Sequence, residues 1–331
     1  FIYFIVSMLY HWYYDLFPHK SYKPKIASIS VGNLSMGGTG KTPMIVWLAN
    51  QFIKKHHTLI ISRGYGRKSK GFFEVEKNMS YSQVGDEPLL FKQIFGDQLK
   101  VAVCEKRKIG IQKMTDLYAD ISCVLLDDAF QHRSITPGFS ILLTTFDNPF
   151  FDDLPIPSGR LREPIQGIKR SDLVIVTKCP ENIIKSDKEK YLKKLSKFNK
   201  PVFFSSIVYN SITPISDVIV DKIDNVLLVT GIAAPAPLMS YLESNYNVLH
   251  IKYSDHYSYT VDDINHIHQK FDNFASNNKI ILTTEKDFVR FKDNKLYNYI
   301  NLNPWYKISI SLKFDNENSL IQLIENYVRK N

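Results

Sequence analysis

The sequence predicts an α/β fold: a mostly parallel sheet with helices on both faces, then a second, smaller α/β domain, with an apolar helix at the start. Three observations predict it. From about residue 25 onward, short β-branched runs alternate with amphipathic stretches, as in strands joined by crossover helices. A glycine-rich turn joins the first of these strands to the first of these helices. Between Ser205 and Asp224 the periodicity weakens and Ser, Pro and Asp accumulate, after which a second α/β series begins. The domains are therefore set at residues 1–20, 21–207 and 208–331.

With 44% apolar and 23% charged residues, the 331-residue chain has the make-up of a folded protein with a sizeable core. A disordered or collagen-like chain is excluded. Lys and Arg number 42 against 33 Asp and Glu, a formal charge of +9, so an anionic partner is expected. Nucleic acid, phosphorylated metabolites and an acidic membrane surface all fit that sign. Cys104, Cys123 and Cys179 form no CxxC pair and no zinc spacing with histidine. They read as reduced thiols of a cytosolic compartment.

Taken in chain order, the run from Phe1 to Tyr10 is apolar and passes into His11-Trp12-Tyr13-Tyr14. A spanning helix needs about 20 apolar residues, and a signal peptide needs a basic start and a small-residue cleavage site. Two readings stand: a helix lying in a membrane interface with Trp and Tyr at headgroup level, or a terminal helix docked on the protein's own core. In the first half, strands are expected at Ile26–Val31, Leu59–Ser62, Phe72–Glu76, Val101–Cys104, Val124–Asp127, Ile141–Thr144 and Leu173–Thr177. Helices are expected at Pro43–Ile53, Pro88–Phe95, Arg107–Leu117 and Glu181–Phe198. The stretch Glu181–Lys200 carries seven lysines interleaved with apolar residues at helical spacing, a solvated basic face rather than a nucleic-acid patch. The second series predicts strands at Val226–Thr230, Val248–Ile251, Ile280–Thr284 and Ile308–Leu312, with helices near Pro237–Ser244, Val261–Phe274 and Ser319–Arg329.

The strongest local signal is Ser35-Met36-Gly37-Gly38-Thr39-Gly40-Lys41-Thr42, directly after a strand and before a helix. It matches the P-loop pattern except that Ser35 stands at the first glycine position. Gly37, Gly38 and Gly40 let successive backbone N–H groups, with that of Thr39, turn inward around phosphate oxygens. Lys41 supplies positive charge to the β- and γ-phosphates, and the Thr42 hydroxyl is a Mg²⁺ ligand. Pro43 suits the first helical turn, where its missing N–H costs nothing. The apolar run Val124-Leu125-Leu126 then ends in Asp127-Asp128, carboxylates of the kind Mg²⁺ needs opposite such a loop. Together these call for ATP or another nucleoside triphosphate, with Mg²⁺.

A P-loop by itself leaves ATPase, GTPase, kinase and transport motor open. Further motifs follow in order: Val31-Gly32-Asn33-Leu34, Arg63-Gly64-Tyr65-Gly66-Arg67, Gly85-Asp86-Glu87-Pro88, Asp127 through Arg133, Pro157 through Pro164, Gly231-Ile232-Ala233, Asp255-His256 and Thr284-Glu285-Lys286-Asp287. From about Ile26 to Arg290 this set resembles the tetraacyldisaccharide 4′-kinase family of lipid A biosynthesis, with Ala129 where Gly is usual and Arg160 where Pro is common. The resemblance implies transfer of the ATP γ-phosphoryl group to the 4′-hydroxyl of an acylated glucosamine disaccharide 1-phosphate, giving lipid IVA. It further implies Asp86 as the base for the sugar hydroxyl with His256 assisting, Asp128 and Asp127 at the Mg²⁺ site, and Arg162 on phosphates. It also favours the first residues as a membrane anchor at the cytoplasmic face of a bacterial inner membrane.

The residue chemistry is compatible, because a sugar hydroxyl is a poor nucleophile that gains from a positioned proton acceptor. Arg63 and Arg67 flank a Gly-Tyr-Gly turn, and their planar forks suit substrate or nucleotide phosphates; solvated loop arginines are the other reading. Glu87 and Gln131 are expected beside the base and the metal. Lys178, at the end of a strand, reads as a surface lysine, with a nucleotide contact as the other reading; His250, His266 and His268 read as surface residues. The expected partners are an acylated disaccharide lipid and an anionic membrane surface, without nucleic acid, since the basic residues are spread rather than clustered on one face. The rival readings are a P-loop ATPase or GTPase that acts as a switch or delivers a cargo, and a non-enzymatic basic binding module.

Overall fold

Runs of Val, Ile and Leu flanked by helices form strands buried on both faces, the environment that a continuous apolar strand requires. The computed structural model describes residues 2–274, 278–292 and 294–331. Its first part runs α1 (Ile2–Leu16), β1 (Ala27–Asn33), α2 (Lys41–Phe52), β2 (Thr58–Ser62), β3 (Phe73–Glu74), α3 (Tyr81–Val84), α4 (Asp86–Phe95), β4 (Lys100–Val103) and α5 (Arg107–Leu117). It continues through β5 (Cys123–Asp127), β6 (Phe139–Thr145), β7 (Leu173–Thr177), α6 (Lys185–Leu195) and β8 (Val202–Tyr209). The second part holds β9 (Thr213–Pro214), β10 (Asn225–Thr230), α7 (Ala236–Glu243), β11 (Asn247–Lys252), α8 (Val261–Asp272), β12 (Lys279–Thr284), α9 (Glu285–Phe291), α10 (Asn294–Ile300) and β13 (Trp305–Ile308). The chain ends with β14 (Ile310–Phe314) and α11 (Glu317–Val328).

Two sheets result. The larger has the order β14-β8-β7-β6-β1-β5-β2-β4-β3, parallel except for its two edge strands, β14 and β3. One face is covered by α2, α4 and α11 through Leu48, Phe52, Phe91, Leu320 and Ile324. The other face is closed by α5 and the loops after β5 and β6, through Ile111, Met114, Phe150 and Ile168. The smaller sheet has the order β11-β10-β12-β13-β9, with β9 alone antiparallel.

Three expectations are corrected here. The single strand Ile308–Leu312 is two strands in different sheets, β13 in the smaller and β14 in the larger, divided at Ser309. Alternating hydrophobicity reports extended backbone but not which edge it pairs with. Residues 310–328 therefore return to the first sheet, where α11 seats the Tyr327 hydroxyl 3.0 Å from the Ser28 amide, so the range 208–331 is not one structural unit. The boundary region also contains an unpredicted strand, β8, and the division at 207/208 falls inside it. The chain thus crosses between sheets twice. The crossings touch, since the Asn210 amide donates to the Ser309 carbonyl at 3.0 Å.

Helix α1 has elements of both readings of the first residues. Ser7, His11 and Asp15, spaced four apart, face the protein: Ser7 Oγ donates to the Arg162 carbonyl at 2.9 Å, His11 Nε2 lies 3.3 Å from Glu163, and Arg133 pairs with Asp15 at 2.7 Å. Val6, Leu9, Trp12, Tyr13 and Leu16 are exposed. No helix among the described residues is long and apolar enough to cross a membrane.

Candidate active site

The C-terminal ends of parallel strands leave a crevice, and here the ends of β1, β5 and β7 supply its floor. The phosphate loop follows β1. Asn33 Nδ2 donates to the Ser35 carbonyl at 2.7 Å, and the Met36 amide donates to Arg160 at 2.7 Å, so the loop entrance is tied on two sides. Gly37 and Gly40 adopt φ of 103° and 89°, where a side chain would be strained, and Gly40 caps α2. Thr177, at the end of β7, donates to the Thr39 carbonyl at 2.8 Å. Beside it Lys178, read as a surface residue, is half-buried with its Nζ 3.9 Å from where a Cβ on Gly38 would lie.

Pairing of β5 with β1 sets Asp127 opposite Val31, next to this loop. Lys41 Nζ lies 3.8 Å from Asp128 Oδ1, and Arg162 lies 3.3 Å from the same oxygen. Burial alone would raise Asp128, but the Lys41 and Arg162 charges hold it below its ordinary value. Asp127 differs: burial, then the negative charges of Glu87 and Asp128, push it up to about 7. Its Oδ2 accepts from Ser62 at 2.9 Å, while its buried Oδ1 has no partner. Thr42 Oγ1 donates to Glu87 at 2.9 Å, and Glu87 also takes Lys286 at 3.1 Å. An orphaned carboxylate oxygen, an adjacent second carboxylate and a hydroxyl form an oxygen donor set that fits Mg²⁺.

Asp86 opens α4 after Gly85, whose φ of 94° turns the chain. Its Oδ1 accepts from the Glu87 amide at 2.9 Å, and its Oδ2 lies 2.7 Å from His256 Nδ1 and 2.8 Å from the Arg290 guanidinium. Burial opposes ionisation, but the His256 hydrogen bond, Lys286 and Arg290 outweigh it and hold Asp86 well below the usual carboxylate range. The same hydrogen bond raises His256 above its ordinary value. The Tyr65 ring, on the Gly-Tyr-Gly turn, sits 5.8 Å from the imidazole. Asp128, Lys178 and His256 are three of the four non-glycine residues at positive φ among those described. Such backbone clusters at functional sites, and here all three lie at the crevice.

The structure thus brings Lys41, Thr42, Glu87, Asp86, His256, Asp127, Asp128 and Arg162 into one connected set. Gln131 joins it through the Asn33 carbonyl and Glu163, at 2.5 Å and 2.8 Å. Arg67 does not fit the expectation of a phosphate ligand. Its buried side chain is committed to Glu105 at 2.5 Å and the Gly71 carbonyl at 2.7 Å, which shape its own loop. Arg63 is exposed; burial chiefly lowers the pKa of Arg107 and His132, and the Arg63 charge adds to that in both. Of the histidines read as surface residues, His268 instead accepts from the Trp305 indole at 2.9 Å, and His250 lies 2.8 Å from the Thr230 hydroxyl.

Sequence reasoning gave no role to Asn33, Arg107, Glu163, Lys286, Asp287 or Arg290. A signal existed for some of them: Lys286 and Asp287 lie in a motif already singled out, and Arg290 is one helical turn beyond Asp287.

Comparison with known proteins places this geometry in context. The family described as Tetraacyldisaccharide-1-P 4′-kinase matches residues 1–329. A curated relative from Cytophaga hutchinsonii, named Tetraacyldisaccharide 4′-kinase, is 36% identical over 97% of this chain and 91% of its own length. One of the same name from Flavobacterium psychrophilum is 37% identical over 99% and 94%. The crystal structure of LpxK from Aquifex aeolicus in complex with ATP superposes with a TM-score of 0.74 at 25% identity, covering 99% of this chain and 96% of that one.

Proposed function

Because the chain belongs to the tetraacyldisaccharide 4′-kinase family, we propose that the Asp86–His256 pair receives the proton of the 4′-hydroxyl while the phosphate loop holds the donor nucleotide. The protein is an ATP-dependent kinase of lipid A synthesis that phosphorylates the 4′-position of a tetraacyl disaccharide 1-phosphate. The alternative of a switch or cargo ATPase is not favoured. One observation carries the proposal. Two groups 170 positions apart meet at 2.7 Å, one residue from the Glu87 that contacts Thr42.

The division of labour follows from what each group has free. Asp86, expected from the resemblance as the base itself, has both oxygens occupied and stays ionised, so in this reading it orients the imidazole and balances its charge while His256 takes the proton. His256 is raised and half-exposed, with Nε2 3.7 Å from Asp255. In the transfer, the 4′-oxygen forms a bond to the γ-phosphorus, the bond from that phosphorus to the bridging oxygen breaks, and ADP leaves. The hydroxyl proton passes to the pair. The amides of Gly37, Gly38, Thr39 and Gly40, with Lys41, would hold the ATP phosphates, in keeping with the ATP bound to the Aquifex relative. Thr42, Asp127 and Asp128 would hold Mg²⁺, which when bound neutralises charge between the β- and γ-phosphates. Arg162 and Arg63 stand at the rim as candidates for the substrate's phosphate.

The exposed apolar and aromatic face of α1, with the basic charge of the chain, supports seating on the anionic cytoplasmic surface of the inner membrane, where an insoluble substrate is met. Transfer of ³²P from γ-labelled ATP to the disaccharide precursor tests the whole reading. ATP hydrolysis without labelled lipid would sink it.

A further inference from the structure

The pair is held by a residue outside it. We propose that Arg290 is the positioning residue of the Asp86–His256 pair, fixing both partners at once and only when the two parts of the molecule are docked. This rests on the kinase reading above.

Helix α9 begins after β12 with Thr284 as its cap, the hydroxyl accepting from the Asp287 amide at 3.0 Å. That start puts Asp287 in the first turn and Arg290 at i+3, side by side. Arg290 is 1% exposed, and its donors are distributed in two directions. Across to α4, Nη2 and Nε donate to Asp86 Oδ2 at 2.8 and 3.3 Å. Within its own part, Nη1 donates to Asp287 Oδ1 at 2.9 Å and to the Gly231 carbonyl at 3.0 Å. A guanidinium fork can serve these acceptors together, whereas an ammonium is a single point of charge.

The Gly231 peptide makes the arrangement more than an ion pair. Its amide donates to Asp287 Oδ2 at 3.1 Å, and its carbonyl takes both Arg290 and the His256 amide, the latter at 3.2 Å. Arg290 therefore fixes the backbone from which the imidazole projects and the carboxylate that the imidazole meets. A Cβ on Gly231 would lie 2.9 Å from the Tyr259 hydroxyl and 3.1 Å from Arg290 Nη1, so glycine lets the peptide reach this position. Next to this contact, Lys286 crosses the same interface to Glu87 at 3.1 Å, so neighbouring residues of α4 are each read by α9. The charged groups around the pair are Glu87 from α4, Lys286, Asp287 and Arg290 from α9, and Asp255 from the loop, with Tyr65 on the open side.

The test uses the full chain with Arg290→Gln, Arg290→Lys and Arg290→Ala, measuring kcat, both KM values, the pH profile of kcat and ATP binding. The expected result is a loss of about 30-fold or more in kcat for Arg290→Gln, with both KM values within about threefold. Its acidic limb should move to higher pH, because the imidazolium would become the principal counter-charge to Asp86. Guanidinium ion added to Arg290→Ala should restore part of kcat. Arg290→Lys keeps a cation for the fold but cannot bridge Asp86 and Gly231, so it should still lose about tenfold. If Arg290→Gln fails to bind ATP, Arg290→Lys alone decides. A kcat within about threefold of wild type, a loss confined to KM, or an unmoved acidic limb would overturn the proposal. If Asp86→Asn and His256→Gln are inactive while the Arg290 variants are not, this inference fails alone. If those two retain activity, the kinase-site reading fails and takes this one with it.

Discussion

His256 Nδ1 and Asp86 Oδ2 lie 2.7 Å apart, joining the loop after β11 to the first turn of α4. Neither residue has a use for the other in its own element, and the contact exists because α9 packs on α4. Its protonation sets the first prediction.

His256 is raised by its hydrogen bond to Asp86, so its share of stability is complete below the unfolded value of about 6.5 and is lost as pH rises through the folded value. Asp86 is lowered, so its share is present above about 3.9 and is lost as pH falls through the folded value. The role proposed for His256 has the opposite need, since a proton acceptor must be neutral. At saturating substrate, kcat should climb with pH along a limb above about 6.5. Asp86→Asn should move that limb down and reduce kcat by about 10²-fold or more. A limb unchanged in Asp86→Asn would remove His256 from this role.

Lys41 has Asp128 at 3.8 Å as its neighbour in the crevice. Lys41→Ala should lower kcat by about 10²–10³-fold, the scale of losing one charge-stabilising group. Its thermal midpoint should stay close to wild type. Near-normal transfer to the lipid would show that the loop does not hold the reacting phosphates.

Residues 310–331 complete the larger sheet. Leu320, Ile324 and Val328 are buried on it, each contributing about 1.5–3 kcal/mol as an upper estimate. A chain ending at Ser309 should lose the cooperative melting of the first part as well as lipid kinase activity, as read by calorimetry. An unchanged transition would mean that β14 and α11 are peripheral.

Leu9 and Trp12 lie on the exposed face of α1, away from Ser7, His11 and Asp15. Leu9→Ser with Trp12→Ser should reduce co-sedimentation with anionic vesicles several-fold. Turnover of detergent-dispersed substrate should change little. Raised salt should weaken the remaining binding, since part of it is screened charge. Equal sedimentation of variant and wild type would argue for another contact surface.

Arg67 is committed to Glu105 and Gly71. Arg67→Ala should therefore cost stability, about 1–3 kcal/mol for carboxylate and carbonyl partners left short, with KM for ATP nearly unchanged. A large rise in that KM would restore Arg67 as a phosphate ligand.

Much of the site was legible because it is local. The P-loop pattern is eight consecutive residues, and the roles proposed for its backbone amides and Lys41 depend only on fixed spacing. Asp127 and Asp128 end an apolar run, so their place at a strand end follows from pattern. Arg67 misled because an arginine beside glycines looks the same in sequence whether it meets phosphate or Glu105. Helix α9 was missed because seven residues carry too little periodicity to announce a helix. Arg290 was missed with it, since its two carboxylate partners and one carbonyl come from α9, α4 and the end of β10.

The sequence by itself determined the local pattern: a glycine-rich strand-to-helix turn, paired carboxylates, a strand–helix alternation and a basic, aromatic-fronted chain. Those properties depend on residues within one turn or one strand of each other. Tertiary structure alone decided which sheet Ile310–Phe314 joins, which face of α1 is left open, and that His256 and Arg290 converge on Asp86. The reason is physical: edge pairing and buried charge neutralisation are set by packing between elements far apart in the chain, and no periodicity within an element encodes its partner.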